Sequence, residues 1–134
     1  MSDISSMLSV QAFERLVTFA DRSGFPALIA RFPSGNLSAS QQADVLKQAI
    51  NQEFEHNLSQ QIYVSENAWQ AVVDMKEQQC FILEQLVATL ASDATGELLV
   101  ASIKTFLAAD PNASIQPIVL ELLKTEARNN LLRL

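Results

Sequence analysis

Apolar residues recur along this chain at the three- and four-residue spacing of α-helices, and no stretch reads as a strand of useful length. Residues 1–8 read as a flexible lead-in. Ser9 is placed to cap a first helix running to about Arg22, with Ala12 or Phe13, Leu16, Val17 and Ala20 at helical spacing. Gly24 follows as a stop. Phe25-Pro26-Ala27-Leu28-Ile29-Ala30-Arg31-Phe32-Pro33 reads as a short helix, with Pro26 suited to its first turn and Pro33 ending it. It is almost wholly apolar, and is a plug for the core or an exposed docking patch. A turn occupies 34–37.

Ser38 followed by Gln41 has the form of a capping box and opens a helix to about Gln61. Leu46, Ile50, Phe54 and Leu58 form its i, i+4 ladder. Ile62-Tyr63-Val64 makes a tight connection. Ser65 caps the next helix, with Glu66 favouring the dipole of its first turn. That helix, 66–91, is the longest. It carries one stripe through Trp69, Val72, Val73, Cys80, Leu83, Val87 and Leu90, and a second through Met75, Ile82 and Leu86. Such a wide apolar arc belongs to a central helix. Asp93-Ala94-Thr95 opens a helix to about Ala109. Ser114 caps the last, with Pro117 in its first turn and Leu131, Leu132 and Leu134 at its end. The expectation is an all-α single domain over 1–134, a bundle of about five to six helices, mostly antiparallel and with short connections.

Composition narrows the function classes. The chain has 134 residues, 49% apolar and 18% charged, which is globular rather than disordered. Its three glycines and four prolines suit long regular elements. Nine basic residues face fifteen acidic ones, with no Lys or Arg run, which argues against nucleic-acid partners and anionic membrane surfaces. The single Cys80 excludes an internal disulfide and fits a reducing compartment. There is no signal peptide pattern at the N-terminus and no apolar run of about 18 residues, so the expected location is cytoplasmic, without a direct membrane span.

Candidate chemistry concentrates at the end of the 38–61 helix. At about 100° per residue, Glu53, His56 and Gln60 fall along one flank of the Leu46–Leu58 ladder, and Asn57 and Gln61 fall inside it. Polar groups so placed need partners. Lys76 lies on the apolar stripe of the next helix, and Glu53 is its natural counter-ion. The candidate binding cluster is therefore Glu53, Asn57, Gln60, Gln61 and Lys76, with His56 at its rim. The bland alternative is that these groups only fix the register of two helices.

Specific chemistries fall away. Glu53-x-x-His56 has the spacing of half a di-iron site, but the chain has one histidine, so no metal is assigned. No catalytic residue is assigned either: Ser59 and Cys80 lack the neighbours a nucleophile needs, and Cys80 sits on an apolar stripe as structural thiols do. No cofactor is implied, since scattered glycines cannot form a phosphate cradle.

Gln11-Ala12-Phe13-Glu14-Arg15-Leu16, then Glu53-Phe54-Glu55-His56-Asn57-Leu58-Ser59-Gln60-Gln61-Ile62-Tyr63-Val64-Ser65, then Ala68-Trp69 and Lys76, together span nearly the whole chain. They resemble an uncharacterised family of small bacterial α-helical proteins, a domain of unknown function. The resemblance implies no activity and supplies no catalytic residue. It also implies that some members carry a membrane-spanning segment ahead of the region matching Gln11-Ala12-Phe13, where this sequence shows none.

Two functional readings follow. The first is a non-enzymatic soluble helical protein that binds another protein or forms a homo-oligomer, motivated by the apolar 25–32 segment and the leucine-rich C-terminus. The second is a small-molecule binder or enzyme using the Glu53/His56/Lys76 edge, which requires a concave site there.

Overall fold

The helical spacing becomes six α-helices and one 3₁₀ helix in a computed structural model of the chain, which describes residues 2–132. They are α1 (Ser2–Arg22), α2 (Phe25–Arg31), α3 (Ala39–His56), the 3₁₀ helix Leu58–Tyr63, α4 (Glu66–Ala88), α5 (Gly96–Ala109) and α6 (Gln116–Leu131). Among the described residues the architecture is all-α; its one β feature is an isolated bridge between Ser38 and Thr95. Met1 of the expected lead-in and Leu134 of the expected last turn lie outside the described residues.

Seven helical segments slightly exceed the expected five to six, because the helix placed over 38–61 divides at Asn57. The Asn57 side-chain Nδ2 donates to Glu53 O at 2.8 Å, taking the carbonyl that its own backbone N–H would use in an α-helix. The backbone N–H turns instead to Phe54 O at 3.0 Å, and the chain continues as a tighter 3₁₀ helix.

Other boundaries move for tertiary reasons. α1 begins at Ser2, so Ser9 lies inside it and accepts a hydrogen bond from Asn130 Nδ2 of α6 at 2.7 Å instead of capping. α1 ends at Arg22 with Gly24 just past it, as expected, but Gly24 is extended and serves as the N-cap of α2. The N-cap position of α6 falls to Ile115, whose side chain makes no capping bond, but Ser114 Oγ still accepts from Gln116 N in the first turn, at 3.3 Å.

The core is built from Phe13, Leu16 and Phe19 of α1, Phe25 and Leu28 of α2, Leu46 and Ile50 of α3, Met75 and Leu83 of α4, Leu99 and Ile103 of α5, and Leu123 of α6. Ile29 and Phe32 pack against it while half-buried. The 25–32 segment is thus a plug in the core rather than a docking patch. α1 packs chiefly on α6, and α3 on both α4 and α5. Contacts from Ser9 to Asn130 and from Ala20 to Gln116 show α1 and α6 running antiparallel.

α3 and α5 start side by side. Ala39 N donates to Ala94 O at 2.9 Å and Gly96 N to Leu37 O at 2.8 Å. Ser38 and Thr95 each cap their helix, accepting from Gln41 N and Leu98 N, and Gln41 completes the predicted capping box. The turn before Ser38 closes through Leu37 N to Ser34 O at 3.0 Å, with Gly35 at φ 52° in its first central position, where a side chain would be strained.

Buried amides tie the remaining ends together. Gln79 Nε2 donates to Ser23 O at 2.8 Å, and Ser114 Oγ donates to Gln79 Oε1 at 3.0 Å. Gln42 Nε2 reaches Phe32 O at 2.8 Å. Each amide satisfies a carbonyl left open where a helix stops.

Candidate functional site

The last turn of α3 presents Glu53, His56 and Asn57 on one face, as i, i+3 and i+4 positions must. Glu53 does not pair with Lys76. Its Oε1 accepts from Arg22 Nε at 2.8 Å and Arg31 Nη1 at 3.1 Å, with Arg22 Nη2 also at 2.8 Å. Arg31 Nη2 also donates to Arg22 O at 2.8 Å, closing the end of α1. One carboxylate thus joins α1, α2 and α3. The hydrogen bond that Arg22 donates to Glu53, and then the carboxylate's charge, raise the Arg22 pKa above its ordinary value.

Lys76 sits over an aromatic ring instead. Phe54 stacks on Trp69 with centroids 5.3 Å apart, and Lys76 Nζ sits 4.9 Å from the centroid of the Phe54 ring. A cation over a ring face gains electrostatic attraction without a counter-ion. Phe54, read as a ladder residue, is therefore the floor under Lys76.

The face of α1 carrying Arg15, Thr18 and Arg22 lies opposite Glu53, His56 and Asn57, with Phe19 between. Together they form an open recess of about 360 Å³. Gln60 is buried and donates to Ser59 Oγ at 3.4 Å, and Gln61 is exposed and donates to Leu58 O at 2.9 Å. Of the six candidate residues, Glu53, His56 and Asn57 share the recess; Gln60, Gln61 and Lys76 do not line it. The helical projection fails for Gln60 and Gln61 because the helix has ended before them.

Sequence reasoning missed Arg15, Arg22 and Arg31. Arg15, Thr18 and Arg22 are spaced i, i+3 and i+7, a polar face legible on α1. That this face meets α3 across 31 residues of sequence, as Arg22 meets Glu53, has no local signal.

Other reactive groups are quiet. Burial raises the Cys80 thiol pKa above its ordinary value, against the opposing charges of Lys76 and Lys47. Thr18 Oγ1 donates back to Glu14 O at 3.0 Å. Among the described residues no group of three or more His, Cys, Asp or Glu side chains could hold a metal ion. No helix there is long and apolar enough to cross a membrane.

A second surface is apolar. The Ser9–Asn130 bond and the bond from Ser65 Oγ to Glu126 Oε1, 3.0 Å, gather three segments at one end: the first turns of α1, the last turn of α6 and the 3₁₀ helix before Ser65. Ile4 is 64% exposed, Ile62 73% and Leu132 86%, with Met7 and Leu131 about half exposed beside them in sequence.

Neither the curated proteins nor the solved structures contain a match to this chain. The profile of one family, described as a family of unknown function (DUF7935), matches residues 2–130.

Proposed function

The chain belongs to that family of unknown function, DUF7935, and from its own geometry we propose a protein-binding role for it, with a second copy of the chain as the simplest occupant. The observation that carries this reading is the apolar end, where Ile4, Met7, Ile62, Leu131 and Leu132 stand in solvent. Isolated apolar side chains on a surface are ordinary; several brought together from three segments are a contact surface. Ile4, Met7 and Leu8 follow i, i+3 and i+4, the spacing with which one helix packs along another. A two-fold pairing of like surfaces is the commonest way to cover such a seam. The reading is of a soluble, cytoplasmic, non-enzymatic protein. Sedimentation velocity over a range of concentrations should show a dimer, and Ile4→Glu with Met7→Glu should return it to monomer with its helix content intact. A monomer at every concentration removes self-association. A monomer that also fails to bind an apolar-surface dye removes the surface itself.

A second reading is favoured by the recess between α1 and α3. It holds a small molecule against Glu53, His56 and Asn57, with Arg15 and Arg22 in the place once assigned to Lys76. Its volume lies near the lower end of the range of ligand pockets. His56→Ala should weaken any ligand found there while leaving the oligomeric state unchanged.

A further inference from the structure

We infer that the recess between α1 and α3 is an oxyanion site, taking the carboxylate or phosphate of a small ligand on Arg15, Arg22 and His56. This rests on the reading of the recess as a small-molecule site and names the chemistry that it selects. The first argument is charge. The chain carries a net −6, yet Arg15 and Arg22 line the recess, Arg31 stands beside them, and the one carboxylate among these groups is Glu53.

The second argument is how that carboxylate is used. The contacts of Arg22 and Arg31 with Glu53 all fall on Oε1. Glu53 therefore orients two guanidiniums while balancing one. Arg15 has no hydrogen-bond or ion-pair partner among the described residues, and neither has the His56 ring. A guanidinium offers its donors in a planar fork that matches carboxylate and phosphate oxygens.

The third argument concerns the end of α3, whose open carbonyls would ordinarily repel an anion. Here two of them, and the carbonyl that follows the helix, are occupied: Glu53 O accepts from Asn57 Nδ2, Phe54 O from Asn57 N, and Asn57 O from Gln60 N. Those carbonyls therefore add no open acceptor to the recess, whose remaining acceptors include Glu53 Oε2 and Asn57 Oδ1. Phe19, almost wholly buried, closes the base of the recess.

His56 is the only histidine, so its ring resonances report on this site alone. The test titrates the full chain with inorganic phosphate, with benzoate and with benzamide, at constant pH and ionic strength. Phosphate or benzoate should shift the His56 ring signals saturably, and the uncharged benzamide should bind at least about tenfold more weakly. Phosphate alone would identify a phosphate site and benzoate alone a carboxylate site; either supports the inference. Arg15→Gln, at an exposed position, should weaken the bound anion about tenfold with unchanged thermal unfolding. Equal binding of benzamide and benzoate would overturn the oxyanion site while leaving a small-molecule recess. Silence from all three probes would remove both, and so would a shift that Arg15→Gln does not change, since that is non-specific.

Discussion

A methyl group added at Gly96 would lie 2.8 Å from Ser34 Cβ and 3.0 Å from Leu37 O, closer than packed atoms tolerate. The backbone of α5 approaches the 34–37 turn that closely because the Ser38–Thr95 bridge draws the two loops together. Gly96→Ala should therefore destabilise the fold by about 1–3 kcal/mol, although alanine is the better helix former, and thermal unfolding measures the sign directly. Cys80 makes a different residue-scale prediction. Its folded pKa lies above the ordinary 9.0, so the folded chain holds the thiol proton more tightly than the unfolded one. The associated stability is intact below that ordinary value and is lost as pH rises through the higher folded value. Urea midpoints from about pH 8 to about 10.5 should fall less steeply for Cys80→Ala than for the natural chain. At this scale the sequence was only partly legible. Cys80 on its apolar stripe was readable, and so was Glu53 as a carboxylate needing a cation. Which cation was not: Lys76 stood one helix away but sits over the Phe54 ring, and Arg22 and Arg31 arrive from distant sequence.

Helix starts were legible where the cap is made by neighbours in sequence. Ser38 with Gln41 and Ser65 with Ala68 both cap as their spacing predicts. Ser38→Ala should cost about 1 kcal/mol, read as a shift in the unfolding midpoint. Thr95→Ala should cost a similar amount, and the double variant should depart from additivity, because the two caps face each other across one bridge. Helix ends were less legible. Asn57 stops α3 through a side chain competing for a carbonyl, a choice that the apolar ladder through Leu58 masks. Ser9 looks like a cap in sequence, yet its hydroxyl is used by Asn130 of another helix, and Ser114 both accepts from Gln116 N and donates to Gln79 of α4. Local chemistry proposes a cap, and tertiary contact decides where the hydroxyl goes.

On the scale of the whole molecule, glutamines rather than charges join the pieces. Gln79 accepts a hydrogen bond from Ser114 at the head of α6 and donates one to the Ser23 carbonyl between α1 and α2. It is wholly buried, so Gln79→Ala leaves two groups without partners and opens space as well. The expected cost is about 2–4 kcal/mol, measured by denaturant unfolding, with the unfolding still cooperative. The all-α class was readable from periodicity and from the scarcity of glycine and proline. The arrangement was not, since sequential neighbours such as α1 and α2 meet less extensively than α1 and α6. Amphipathic stripes say which face is inward without saying what lies opposite.

The pairing of α1 with α6 sets an order of assembly. The hydrogen bonds between them join residues 96 and 121 positions apart, so the first helix made must await the last for its main partner. During synthesis α3, α4 and α5 have their neighbours at hand, whereas α1 leaves the ribosome with most of its apolar face uncovered. Closing so long a loop costs chain entropy, which must be overcome before either helix gains from the contact. A chain halted before α6 would leave α1 without its main partner and expose Phe13 and Leu16 to whatever in the cell recognises unfinished proteins.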